Sequence, residues 1–109
     1  MSERVAKVES LIQQVVATAA LELLGPDSAR LTVTRVDAAP DLRNATVWVG
    51  LLGTDSQQDQ LFEQLIRGQA ELQAALAEHM TTKFVPHLHF KRDTGGAYAA
   101  EIDQLLKKL

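Results

Sequence analysis

The sequence of 109 residues contains no cysteine, and its aromatic side chains are limited to one Trp, one Tyr and three Phe. Without cysteine, disulfide bonds and thiolate metal ligands are excluded, and the cytoplasm is the expected location. Long hydrophobic runs are also missing, since even residues 15–24 are interrupted by Thr18 and Glu22. We therefore expect no membrane span, and no signal peptide, because the N-terminus opens on an amphipathic pattern.

Positive charge is scarce as well, with 11 Lys and Arg against 14 Asp and Glu and a net charge of -3. This balance argues against non-specific nucleic-acid binding through net charge. It leaves room for a local basic patch, because phosphates respond to charges within about a Debye length, roughly 8–10 Å. The hydrophobic fraction of 46% and the length predict a single domain over residues 1–109 with its own core.

Two helices are predicted at the ends of the chain. Apolar residues at helical spacing predict the first over Glu3–Leu24, with Ser2 as its N-cap and Gly25-Pro26 as its stop. A turn at residues 92–96 precedes a short closing helix. The apolar residues of that closing helix are Tyr98, Ile102, Leu105, Leu106 and Leu109.

A long helical pattern with a glycine in its middle covers residues 56–80. Asp55 or Ser56 is the expected N-cap. A glycine inside a helix costs roughly 1 kcal/mol relative to alanine and is a common position for a kink. We therefore predict two helices joined at an angle at Gly68, where small residues allow two backbones to come close.

Three strands are predicted. Residues 31–37 and 45–49 are rich in β-branched side chains, and the link between them is too short for a crossover helix, so they should pair antiparallel. Alternation in the second strand assigns Ala45, Val47 and Val49 to the core and Trp48 to the opposite face. The third strand is predicted over residues 83–91, with Phe84 on the same side as Leu88 and Phe90, and with Pro86 at an edge or a bulge.

The resulting fold class is α+β: a two-layer domain in the order helix, strand, strand, kinked helix pair, strand, helix, with the helices on one face of a three-stranded sheet. This order resembles the type II KH-like fold, with the junction Gly68-Gln69-Ala70 in place of a Gly-x-x-Gly loop. Further motifs follow in chain order. They are Arg4-Val5, the Thr-rich strand at 31–36, Pro40-Asp41-Leu42, Ala45-Thr46-Val47-Trp48-Val49, Leu52-Gly53, Val85-Pro86-His87-Leu88-His89-Phe90, Asp93 and Ile102-Asp103-Gln104-Leu105-Leu106.

Together these motifs resemble the ribosome-binding factor A family along almost the whole chain. The resemblance implies an assembly factor that binds the immature small (30S) ribosomal subunit and its 16S rRNA. Such a factor assists late maturation and rRNA processing and matters most for growth in the cold. The chain departs from the family pattern in reading Gly-x-Ala rather than Ala-x-Gly at the kink, and in having Gln73 where a basic residue is common.

A candidate RNA-binding surface follows from this resemblance. N–H groups near residues 69–72 would favour phosphate at the start of the second half-helix, with Arg67 as the nearest cation. Basic residues of the first helix and of the third strand would extend the surface. The candidate RNA- and ribosome-binding residues are Arg4, Lys7, Arg67, Gly68, Gln69, Ala70, Gln73, Lys83, Lys91 and Arg92.

Each of these functional interpretations has a purely structural alternative. The kink can be a close helix crossing without a ligand, and Trp48 can pack on its strand neighbours instead of stacking on a base. His87 and His89 lie on one strand face, which is more typical of outer-face alternation than of a metal site, so no metal is expected. No nucleophile–base pair or phosphate loop is present, so we expect no enzyme and no cofactor. The chain is expected to be a monomer. A protein–protein interaction module of KH-like fold, with weak or no RNA binding, is the alternative function.

Overall fold

The computed structural model describes residues 3–81 and 84–94. In this part of the chain the predicted order of helices and strands is confirmed. The elements are α1 (Glu3–Leu24), a 3-10 turn (Gly25–Arg30), β1 (Leu31–Ala38), β2 (Asn44–Leu51), α2 (Asp55–Arg67), α3 (Gln69–Glu78) and β3 (His87–Arg92). The predicted cap Ser2, the residue Lys83 and the predicted closing helix at 98–109 lie outside the described residues.

The sheet is mixed and has the strand order β1-β2-β3. β1 pairs with β2 antiparallel, as the short link predicts, whereas β3 pairs with β2 in parallel. A parallel neighbour requires a crossover connection, and the α2–α3 pair supplies it. This crossover places the kink close to β3.

The core lies between the sheet and the helices. Ala45, Val47 and Val49 are at most 1% exposed, and Trp48 is half-buried on the other face, so the predicted face assignment of β2 is confirmed. The segment Glu3–Arg30 is long and apolar enough to cross a membrane by length and composition. A helix buried in a protein core meets the same criteria, and one side of α1 is buried here. Its buried residues are Val8, Ile12, Val15, Val16, Ala20 and Leu24.

β1 contains a β-bulge at Thr34. Val33 pairs with Val49, but Arg35 pairs with Trp48, so one extra residue interrupts the register. Both Val33 and Val36 are buried although they are three positions apart. The bulge therefore places Arg35 on the open face of the sheet, opposite Trp48.

The N-terminus of α2 differs by one residue from the prediction. Thr54, and neither Asp55 nor Ser56, is the N-cap. Its Oγ1 accepts from the Gln57 backbone N–H at 3.1 Å, and its own N–H donates to Gln57 Oε1 at 2.9 Å. This reciprocal pair is a capping box, which satisfies two N–H groups where Asp55 or Ser56 alone would satisfy one.

The start of the third strand was also predicted too early. Pro86 has no N–H to donate, and the ladder with β2 begins at His87, whose N–H donates to Arg43 O at 2.9 Å. Phe84 therefore lies outside the strand and is 58% exposed, so the prediction that it shares the side of Leu88 and Phe90 was wrong. The prediction for Leu88 and Phe90 is confirmed, since both are buried.

Candidate nucleic-acid interface

The kink is a close crossing of two helices. Gly68 separates α2 from α3 and has φ -88° and ψ 10°, a conformation open to any residue. A Cβ built on Gly68 would lie 2.4 Å and 2.6 Å from the two Cδ atoms of Leu23 on α1. Glycine is therefore needed here for space, because α1 passes directly beside the junction.

The first turn of α3 offers fewer free N–H groups than the sequence suggested. The backbone N–H groups of Glu71 and Leu72 both donate to Gly68 O, at 3.0 and 3.1 Å. The expectation that these two groups are available to a phosphate was wrong. The reason is that the chain turns so tightly at Gly68 that its carbonyl accepts both bonds.

Gln69 and Gln73 direct their amides towards β3. Gln73 Oε1 accepts from Leu88 N–H at 3.0 Å, and Gln73 Nε2 donates to Pro86 O at 2.7 Å. Gln69 Nε2 donates to Leu88 O at 2.7 Å. These backbone groups lie on the edge of β3 that faces away from β2. The two glutamines therefore take the place of a neighbouring strand along this edge.

Acidic residues dominate the surroundings of the kink. Arg67 is paired with Glu63 on the same helix, and a hollow of about 340 Å³ beside it is also lined by Asp27 and Glu71. The three helices together carry three basic and eight acidic side chains, a formal charge of -5. Lys7, like Arg67, is paired with an acidic residue of its own helix, because its Nζ lies 3.5 Å from Glu3 Oε1.

The remaining candidate cations lie on α1 and on β3. Arg92 donates to Asp59 Oδ1 at 2.7 Å, and its guanidinium lies 5.6 Å from the centre of the Phe62 ring, which joins β3 to α2. Arg4 and Lys91 are exposed, as is Ala70 at the kink. The structure therefore brings Arg67, Gly68, Gln69, Ala70 and Gln73 together at the kink and separates Arg4, Lys7, Lys91 and Arg92 from them.

A row of three side chains crosses the open face of the sheet. Arg35, Trp48 and Lys91 are direct neighbours in register on β1, β2 and β3, and we call them the cationic row. The Arg35 guanidinium lies 4.9 Å from the centre of the Trp48 ring, and Lys91 Nζ lies 5.6 Å from it. Both distances are within the range of cation–π attraction.

Asp37 holds two members of the cationic row in place. Its Oδ2 accepts from Trp48 Nε1 at 3.2 Å and lies 3.1 Å from Arg35 Nε. Arg35 was not among the candidate residues drawn from the sequence. The signal that could have revealed it is the spacing of the inward-facing residues of β1, which is two, three and two positions. Those residues are Leu31, Val33, Val36 and Ala38.

Two histidines continue this face along β3. The rings of His87 and His89 meet edge to face with centres 4.7 Å apart, and His89 Nε2 lies 3.0 Å from Asn44 Oδ1. Within residues 3–81 and 84–94, no group of three or more His, Cys, Asp or Glu is placed to hold a metal ion.

Comparison with known proteins gives one consistent result. The sequence model of the ribosome-binding factor A family matches residues 4–106. A ribosome-binding factor A from Thermomicrobium roseum is 33% identical over 101 residues, which cover 93% of this chain and 78% of that protein.

A solved structure and a homology model fitted into a map share the fold. The solution structure of a Thermotoga maritima protein assigned to the same family has a TM-score of 0.75 and 28% identity, covering 88% of this chain and 92% of the other. A homology model of the Thermus thermophilus ribosome binding factor A, fitted into a cryo-EM map of its complex with 30S, has a TM-score of 0.59 and 24% identity. That match covers 80% of this chain and 96% of the other. On the strength of the family match, this chain belongs to the ribosome-binding factor A family.

Proposed function

We propose that this chain is a ribosome-assembly factor that binds the immature small (30S) ribosomal subunit and its 16S rRNA. It assists late maturation and rRNA processing and then leaves. It acts in the cytoplasm as a monomer, and its role is recognition rather than catalysis.

The observation that carries this proposal is the family match over residues 4–106. The fold supports it, because a related protein of the same fold has been fitted into a map of a 30S complex. The surface of this chain that meets the subunit includes the kink at Gly68 and the exposed cations Arg4, Lys7, Arg67 and Lys91. Gln69 and Gln73 shape this surface through their bonds to β3, and Arg92 does so through its contact with α2.

The direct test is co-sedimentation of the purified protein with free small subunits and with complete ribosomes, at low and moderate salt. We expect binding to small subunits that weakens as salt is raised, because each phosphate contact releases counterions. Binding to complete ribosomes should be much weaker. Equal binding to both would contradict a role confined to maturation.

The kink is tested by the double variant Arg67→Glu with Lys83→Glu. If the predicted surface is correct, association with small subunits weakens while the helical circular dichroism and the melting temperature stay nearly unchanged. Arg67 is an exposed residue paired only within its own helix, so its loss should affect stability by less than about 0.5 kcal/mol. If this variant binds small subunits as strongly as the wild type, the contact with the subunit lies elsewhere on the molecule.

The acidic helical layer favours a second candidate, a KH-like module that binds a basic protein partner. A formal charge of -5 over the three helices repels phosphate and attracts lysine- and arginine-rich surfaces. Absence of binding to small subunits at any salt would move the assignment to this candidate.

A further inference from the structure

Positive charge is concentrated on the sheet side of the molecule. On the open face of the sheet Arg35 and Lys91 stand against one acidic residue, Asp37, a formal charge of +1, whereas the three helices carry -5. The third basic residue of the strands, Arg92, is paired with α2. Field effects at a surface extend over roughly 8–10 Å at physiological salt. A polyanion that approaches the described part of the chain is therefore attracted to the sheet and repelled by the helices.

The β-bulge at Thr34 exposes one of these cations. In a regular strand with Val33 facing the core, Arg35 would also face the core. The extra residue turns Arg35 to the open face, in line with Trp48 and Lys91. The hydroxyl of Thr34 stabilises the bulge by donating to Asp93 Oδ2 at 2.8 Å. Bulges commonly re-aim a side chain beside a functional site.

The cationic row offers the two kinds of group that bind an unpaired nucleic-acid strand, which are cations for the phosphates and an aromatic ring for a base. The bond to Asp37 uses Nε of Arg35 and fixes the indole of Trp48, so the two Nη groups of Arg35 remain available to an anion. Among the residues that the structure describes, Lys91 has no acidic partner. Arg35 and Lys91 lie two strands apart, about 9–10 Å across the sheet, with the aromatic ring between them.

We propose that this open sheet face binds an unpaired segment of RNA, with a base against Trp48 and phosphates at Arg35 and Lys91. Single strands are favoured over duplexes because only unpaired bases expose a flat face to an aromatic side chain. This inference rests on the proposed function and deepens it, since it names the form of RNA and a surface separate from the kink.

The chain contains its own reporter, because Trp48 is the only tryptophan. The first measurement is a titration of the protein with an oligouridylate of about 10 nucleotides, a length that a single small domain can span. We expect quenching of Trp48 fluorescence that is reversed by salt. An RNA duplex of the same length should cause much less quenching.

Two variants test the row by anisotropy of a labelled oligouridylate. Lys91→Gln, at an exposed position, should weaken binding and lower the slope of log K against log salt by about 0.7. Trp48→Thr should weaken binding by about 5- to 150-fold, the range expected for loss of a base–aromatic stack. The matched control is Arg30→Gln, which removes a cation of the 3-10 turn that belongs to neither proposed surface and should leave oligouridylate binding unchanged. Melting temperatures identify any variant that fails to fold. If Trp48→Thr fails to fold, Lys91→Gln still tests the inference.

Co-sedimentation of the wild type and of Lys91→Gln with small subunits separates this inference from the proposed function. Subunit binding without any quenching by oligouridylate, and with no effect of Lys91→Gln, overturns the inference and leaves the proposed function intact. Quenching without subunit binding supports the RNA surface and overturns the proposed function. If Lys91→Gln weakens subunit binding while oligouridylate does not bind, the face contacts a ribosomal protein and the RNA assignment fails. Quenching of Trp48 by the RNA duplex that equals the quenching by oligouridylate also overturns the inference.

Discussion

Replacing Gly68 by alanine tests why a glycine occupies the kink. The new Cβ would lie 2.4 Å and 2.6 Å from the Cδ atoms of Leu23, well inside the normal carbon–carbon contact of about 3.5–4.0 Å. Leu23 is half-buried against the core, so it can rotate away only by losing packing. Overpacking of this kind costs about 1–3 kcal/mol.

The opposing effect is that alanine restricts the unfolded chain more than glycine does, which stabilises the fold by about 0.4–1 kcal/mol where the native backbone suits alanine. At φ -88° alanine causes no backbone strain, so this gain is available. We expect Gly68→Ala to lower the free energy of unfolding by about 1 kcal/mol, the overpacking cost less this gain. In a Leu23→Ala background the clash is absent, and the same change should raise stability by about 1 kcal/mol. The coupling energy between the two sites is then about 2 kcal/mol.

Urea unfolding followed by far-ultraviolet circular dichroism measures all four members of this cycle, and a change of 1 kcal/mol corresponds to roughly 4 °C in melting temperature. Ala74→Gly, at an exposed position of α3, is the control that measures helix preference alone. If Gly68→Ala stabilises the protein equally in both backgrounds, the close approach of Leu23 is not the reason for the glycine.

The remaining predictions concern hydrogen bonds at the ends and edges of elements. Gln73→Leu removes the partners of Leu88 N–H and Pro86 O, and should destabilise the domain by about 1–3 kcal/mol and speed hydrogen exchange at Leu88; unchanged exchange there would contradict the edge-covering role. Thr54→Ala should cost about 1 kcal/mol because it removes the capping box, whereas Ser56→Ala should be nearly neutral. Similar losses from both changes, measured by thermal unfolding, would show that the cap is not Thr54.

Features set by local sequence could be predicted, and those set by distant contacts could not. The faces of β2 follow from alternation alone, and the kink follows from one glycine in a helical pattern. The close approach that requires this glycine involves Leu23, 45 positions earlier, and no local pattern reveals it. The cap at Thr54 was within reach, because Thr-x-x-Gln is a recognised helix start.

In the candidate site, too, the features set by local sequence could be predicted and those set by distant contacts could not. Basic residues could be identified from the sequence, but their availability depends on acidic partners. The pair Arg67–Glu63 has the four-residue spacing of a helix and could have been predicted, whereas Arg92–Asp59 joins elements 33 positions apart. The position of Arg35 depends on the bulge, because regular alternation from Val33 would turn Arg35 to the core side.

The bulge in β1 also affects how this surface can change during evolution. Loss of the single codon for Thr34 would remove only the extra residue, and Val33, Arg35 and Val36 would still pair with Val49, Trp48 and Val47 in regular alternation. The side chains of β1 would therefore keep their faces, whereas the hydrogen bond from Thr34 to Asp93 would be lost. An inserted residue that is not accommodated as a second bulge would instead move one half of the strand to the opposite face. The cationic row can therefore persist in relatives whose first strand is shorter by one residue at this position.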